Sequence, residues 1–187
     1  MKKHYFRSAV AALLPLLLIA QPVEACTGFI IGKKLTADGS TLVGRTEDLE
    51  PNHNKNFVVR ERVYNKKGAI FAANGFQYPL PEISYKYTAV PDVTPDQGIF
   101  DEAGFNEYGV SISATVSASA NDKIQKVDPY VKDGLAESGL TSIVLPSVKT
   151  AREGVELIAK IVEEKGAAEG NIVTIADKEG VWYMEIL

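Results

Sequence analysis

Apolar and polar residues alternate most cleanly over Val110 to Ser117 (VSISATVS). There Val110, Ile112, Ala114 and Val116 take one face, and Ser111, Ser113, Thr115 and Ser117 take the other. This two-residue period predicts a strand buried on one side only. Short β-branched runs at Cys26 to Ile31 and Thr41 to Gly44 predict a hairpin, with Lys33-Lys34 and Asp38-Gly39 as turn material between them. Phe57 to Tyr64 and Ser84 to Val90 read as further strands. The proline-rich stretch Tyr78 to Gln97 reads as sheet edge or loop.

The period then changes. Leu140 to Val148 is apolar and predicts a helix that ends or kinks near Pro146. Thr150 and Glu153 form a capping box, Ala151, Val155, Ile158 and Val162 recur at helical spacing, and Gly166 fits a C-terminal stop. Asn171 to Ala176 and Val181 to Leu187 read as two strands around Asp177-Lys178-Glu179-Gly180. Strands, two helices and more strands predict a layered α+β domain rather than a βαβ repeat. The last residues, Met184 to Leu187, fall inside an expected core strand, so the expectation is a fragment or one piece of a larger enzyme.

The first residues stand apart from this pattern. Lys2, Lys3, His4 and Arg7 precede an apolar run from Ala9 to Ala20, and Pro22 and Val23-Glu24-Ala25 follow. Basic start, apolar centre and small-residue end are the marks of a removable secretory signal over residues 1–25. The apolar run is shorter than the roughly 20 residues a membrane span needs. The protein is thus expected to be secreted or at the cell surface, with residues 26–187 enough for one domain. A formal charge of −4 without a basic run gives no reason to expect nucleic-acid binding.

Cysteine usage sharpens the picture. The chain has one Cys, Cys26, so no internal disulfide can form even in an oxidising compartment. A lone Cys usually packs as a small hydrophobe, but this one is the first residue after the expected cut. An N-terminal Cys carries a nucleophile and a base together, with an amine pKa near about 8 and a thiol near about 8.5. The amine can activate its own side chain without a histidine. If Gly32 and Ser40 flank the hairpin loop, Cys26 lies opposite Thr46, with Asp48 one same-face step beyond. Arg45 then falls on the other face, and a slip of one residue exchanges the two.

Cys26-Thr27-Gly28-Phe29, Ala37-Asp38-Gly39-Ser40 and Gly44-Arg45-Thr46-Glu47-Asp48 resemble the secreted dipeptidases of the PepD type. These belong to the N-terminal-nucleophile (Ntn) hydrolases, beside the penicillin V and bile-salt amidases. Asn106-Glu107-Tyr108-Gly109-Val110 is similar to the NE-x-G turn of that group, and Thr150 to Gly154 and Ala167 to Asn171 to its helix and following loop. The resemblance runs from Cys26 to Leu187. It implies a four-layer αββα sandwich and a thioester route on Cys26, with Arg45 favouring the thiolate and Asp48 holding the amine. Its substrates would be dipeptides or short peptides with a free N-terminus. In the related amidases an Asn after the NE-x-G turn donates to the oxyanion. The same stretch here offers Thr115 and Val116, which makes that donor Thr115, a backbone group or neither.

Other readings stand beside this one. Arg45 and Asp48 could form a local surface pair, Glu47 reads as solvated, and His53 as a polar loop residue that could alternatively pair with Cys26. Tyr85, Tyr87 and Trp182 read as packing residues. A Cys just after a signal could instead be acylated, giving a lipid-anchored binding protein; an amidase for acylated small molecules would share Cys26, Arg45 and Asp48. No metal or cofactor is expected. The partners expected are a small peptide substrate and, as an option, further copies of the chain, with no stable membrane span.

Overall fold

In the computed structural model, residues 26–48, 54–93 and 99–187 are described; the expected signal segment and His53 lie outside them. The first hairpin pairs β1 (Thr27–Ile31) with β2 (Leu42–Thr46). Three short pieces follow: β3 (Val58–Arg60), β4 (Val63–Tyr64) and the hairpin of β5 (Ile70–Ala73) and β6 (Phe76–Pro79). β7 (Ile83–Ser84), β8 (Tyr87–Pro91), β9 (Asp101–Asn106) and β10 (Ser111–Thr115) come next. Then follow α1 (Asp122–Gln125), α2 (Glu137–Val144), α3 (Ala151–Lys165), β11 (Asn171–Asp177) and β12 (Gly180–Ile186). The main sheet has six antiparallel strands in the order β12-β11-β10-β9-β8-β3.

β10 follows its alternation up to Ala114, while Val116, expected on the buried face, lies beyond the strand and is exposed. Val110, Ile112 and Ala114 are buried in the main core with Val173 and Ile175 of β11 and Leu140, Ile143, Val144, Leu145, Ile158 and Ile161 of the helical side. Its opposite face, with Ser113 and Thr115, looks onto the β1–β2 hairpin across a shared cavity. Helices, six-stranded sheet and hairpin are three layers of the expected αββα sandwich. Among the described residues no helix covers the hairpin's outer side, and none is long and apolar enough to cross a membrane.

Both helices end where their sequence requires. α2 stops at Val144, two residues before Pro146. Thr150 caps α3 by accepting from Glu153 N, and Gly166 closes it with φ 76°. The Glu153 carboxylate reaches back to Lys149 N at 2.7 Å, one residue beyond the expected box partner. The buried stripe is Ala151, Gly154, Ile158 and Ile161; Val155 and Val162 are only partly buried.

Four expectations need correction. Phe57 to Tyr64 divides into β3 and β4, which join different sheets. The proline-rich region is not all edge: β8 is flanked by β3 and β9, and Pro91 sits at its end beside a register shift. Trp182 of β12, expected as a packing residue, is exposed together with Tyr183, while Met184 and Ile186 of the same strand pack into the core. β9 was not among the expected strands. Tertiary partners explain it. Asp101 accepts from Arg60, Tyr87 and Ser142, and Gly104 lets the β8 backbone approach so closely that a Cβ there would lie 1.8 Å from Thr88 O.

Candidate active site

The register of the first hairpin places the site. Thr27 pairs with Thr46, Gly28 with Arg45 and Ile31 with Leu42, one residue away from the register expected from a Gly32–Ser40 loop. Ser40 is drawn into the turn: its N–H and hydroxyl both donate to Asp38 Oδ1, and its carbonyl accepts from Thr36 Oγ1 at 2.6 Å. Ile31 and Leu42 therefore close the loop. Because side chains alternate along a strand, this slip puts Cys26 and Arg45 on one face and Thr27, Thr46 and Asp48 on the other.

Arg45 turns that shared face into a contact. Its Nη2 donates to Cys26 Sγ at 3.5 Å, and Nη1 donates to Glu102 Oε2 and to the Ala114 carbonyl, both at 2.7 Å. Glu137 Oε1 lies 3.5 Å from the same nitrogen. The Arg45 side chain is 12% exposed, so this is not the surface pair with Asp48 that spacing alone allows. Ser117 Oγ donates to the Cys26 carbonyl at 2.6 Å, which ties the start of β1 to the chain just after β10. Asp48 Oδ2 accepts from Thr46 Oγ1 at 3.0 Å and from Thr27 Oγ1 at 3.3 Å, so it is fixed beside the residue next to Cys26.

The acidic partners were not foreseen. Glu102, 6% exposed, uses its second oxygen to accept from Lys55 Nζ at 3.1 Å. Lys55 also donates to Asp92 and to Glu47 Oε1, the latter at 2.7 Å. Glu47 is 17% exposed and ion-paired, not solvated as its sequence context suggests. Burial works against the charge of Lys55, but Asp92, Glu47 and Glu102 outweigh it and hold the ammonium above its ordinary range. Burial likewise opposes charge on Arg45, and Glu102 and Glu137 reverse that effect.

The two buried carboxyls differ. Burial raises Glu102 above the usual carboxylate range, while Arg45 and Lys55 pull it back. Glu137 makes a long contact to Arg45 and faces Glu102; burial first, then Glu102, pushes it up to about 8. Its backbone N–H donates to Glu169 Oε1 at 2.9 Å, which supplies the N-terminal cap that Ala136 cannot give α2. The arrangement sets a guanidinium beside the sulfur with two buried carboxyls behind it, Glu102 at 2.7 Å and Glu137 at 3.5 Å.

A cavity of about 270 Å³ opens beside these groups. It is lined by Gly28, Phe29 and Arg45 of the hairpin and by Ser113, Thr115 and Tyr183 of the sheet. Thr115 is buried at the end of β10, next to the carbonyl that receives Arg45. Phe29 lies over Gly44, where a Cβ would come within 2.4 Å of its ring. Tyr87 is a packing residue with its hydroxyl on Asp101, and Tyr85 stacks edge-on against Tyr108. Sequence carried two signals for the missed groups: adjacent acids Asp101-Glu102 in an apolar setting, and Glu137 at the start of an apolar helix.

Comparison with known proteins gives the family and the fold. Over 165 residues the chain is 74% identical to a probable dipeptidase B of Streptococcus pyogenes serotype M1, covering 87% of this chain and 33% of that protein. Over 167 residues it is 42% identical to a probable dipeptidase of Latilactobacillus sakei, covering 88% of this chain and 35% of that one. The chain thus spans about a third of the length of these relatives. Among solved structures, penicillin V acylase from Agrobacterium tumefaciens shares the fold, with TM-score 0.50 at 16% identity over 86% of this chain and 46% of that one. Residues 25–187 match the sequence profile of peptidase family C69. The chain belongs to peptidase family C69.

Proposed function

We propose that this chain is the N-terminal part of an exported cysteine peptidase of the Ntn type, residues 1–25 being removed as a signal. Cys26 then begins the protein and cleaves dipeptides or short peptides. The observation that carries the proposal is the Arg45 Nη2 contact to Cys26 Sγ at 3.5 Å, with Arg45 also lining a cavity of about 270 Å³. A guanidinium N–H stabilises negative charge on the sulfur it faces.

The reaction proceeds in two halves. Sγ attacks the scissile carbonyl carbon while its proton passes to the freed α-amine of Cys26. The adduct collapses, the C–N bond breaks, and the proton returns to the leaving amine, giving a thioester. Water then adds to the thioester, the α-amine again taking and returning the proton, and the acid leaves as the thiol reforms. Asp48 is the carboxylate assigned to the ammonium, since it is already held by the hydroxyl of the adjacent Thr27. Thr115 is the candidate oxyanion donor, as a buried hydroxyl-bearing residue on the same cavity as Arg45.

Steady-state hydrolysis of a dipeptide panel tests this reading. Cys26→Ala is expected to abolish turnover with the fold intact, and Cys26→Ser to leave a weak residue of it. A version with an unremoved Met ahead of Cys26 is expected to be inactive for want of the α-amine. Equal turnover by Cys26→Ala and the parent would sink the assignment.

A further inference from the structure

The geometry points to Glu102 as a positioning residue that aims Arg45 at the Cys26 sulfur by dividing its carboxylate between Arg45 and Lys55. This rests on the reading of Cys26 as nucleophile, and it adds a residue that neither spacing nor the resemblance to Ntn hydrolases supplies.

A guanidinium on a flexible side chain carries five N–H donors and can satisfy them in many ways, so an N–H stays on the sulfur only where the rest of the group is held. Here the competing donor is consumed. Nη1 is fixed by Glu102 Oε2 and the Ala114 carbonyl, both at 2.7 Å, and Nη2 is left for Sγ at 3.5 Å. Glu102 is itself prevented from rotating, because Oε1 accepts from Lys55 at 3.1 Å. Lys55 is in turn held by Glu47, just beyond β2, and by Asp92, just beyond β8. The cluster therefore ties β2, β9 and the segment around Lys55 into one frame behind the guanidinium.

The charged groups facing the site come from every element around it. They are Arg45, Glu47 and Asp48 from β2 and its end, Lys55 from the loop before β3, Asp92 after β8, Glu102 from β9, Glu137 from α2 and Glu169 before β11. This makes the sign of a charge change informative. If Glu102 acted only as a negative charge, removing it would leave Arg45 less neutralised and make thiolate easier to form. If Glu102 aims Arg45, removing it lets the guanidinium leave the sulfur, and thiolate becomes harder to form.

The test is the pH dependence of Cys26 alkylation by iodoacetamide, followed by intact mass on the full processed chain, for the parent, Glu102→Gln and Glu102→Asp. Glu102→Asp keeps the charge but shortens the reach by about 1.5 Å, one carbon–carbon bond, so it cannot hold Arg45 and Lys55 together. The half-alkylation pH is expected to rise by about one unit in Glu102→Gln and by less in Glu102→Asp. Dipeptide kcat is expected to fall on the order of 10- to 100-fold with little change in KM. A downward shift in Glu102→Gln, or no shift in Glu102→Asp, overturns the proposal. If Glu102→Gln fails to fold, the charge-conserving Glu102→Asp decides alone. Alkylation reads the thiol whether or not a peptide is turned over, so failure of the peptidase reading would appear separately, as an inactive parent.

Discussion

Arg45 stands opposite Gly28 across the first hairpin, and this pairing brings its guanidinium to the same face as Cys26. Had Ser40 closed the loop with Gly32, Arg45 would have pointed away from the sulfur. The difference is made in the turn, by Asp38 and Thr36 holding Ser40. The chemistry at one end of the hairpin thus depends on side chains at the other.

Glu137 should leave a mark on stability. Its folded-state carboxyl is pushed up to about 8, above the unfolded value, so between about pH 4.5 and 8 the folded chain holds a proton the unfolded chain has lost. Stability from this group is complete below that window and declines as pH rises through it, by at most about 1.4 kcal/mol per pH unit. Glu137→Gln is expected to flatten the decline. Thermal unfolding of parent and variant from pH 5 to 8 checks it, and parallel curves would contradict it.

Asn106 secures the strand–turn–strand unit that carries Thr115. Its Nδ2 donates to the Leu145 and Val148 carbonyls at 2.9 and 2.7 Å, and its Oδ1 accepts from Tyr108 and Val110 N–H at 3.0 and 3.1 Å. Asn106→Ala should cost about 3 kcal/mol or more in urea unfolding, because buried partners are left unsatisfied. Asn106→Asp should not restore it, since a carboxylate would face two carbonyl oxygens.

Gly104→Ala is expected to destabilise by more than an exposed strand glycine would. The added Cβ would lie 1.8 Å from Thr88 O, which is backbone, so β8 and β9 must separate. Gly180→Ala, where a Cβ meets nothing within 4 Å, is the control. A similar small effect for both on the midpoint of urea unfolding would contradict the close approach.

Much of this was legible in the chain. The period of Val110 to Ala114, the Thr150 cap and the Gly166 stop are local signals, and local chemistry decided them. The β5–β6 hairpin was passed over although Asn74-Gly75, with φ of 51° and 89°, is the strongest two-residue hairpin signal there is. β9 could not be read locally, because its acids are tolerated only through Arg60, Tyr87, Ser142, Arg45 and Lys55, all distant in sequence. The hairpin register failed for a smaller reason, a single residue taken up by the Asp38–Ser40 turn.

The central claim is that Cys26 becomes a free N-terminal nucleophile, and intact mass of the exported protein tests it most directly, with and without alkylation of free thiols. The account predicts a mass beginning at Cys26, one alkylatable thiol and no added lipid. A mass carrying acyl chains on Cys26, with no thiol left to alkylate, would contradict it and make the protein a surface anchor instead.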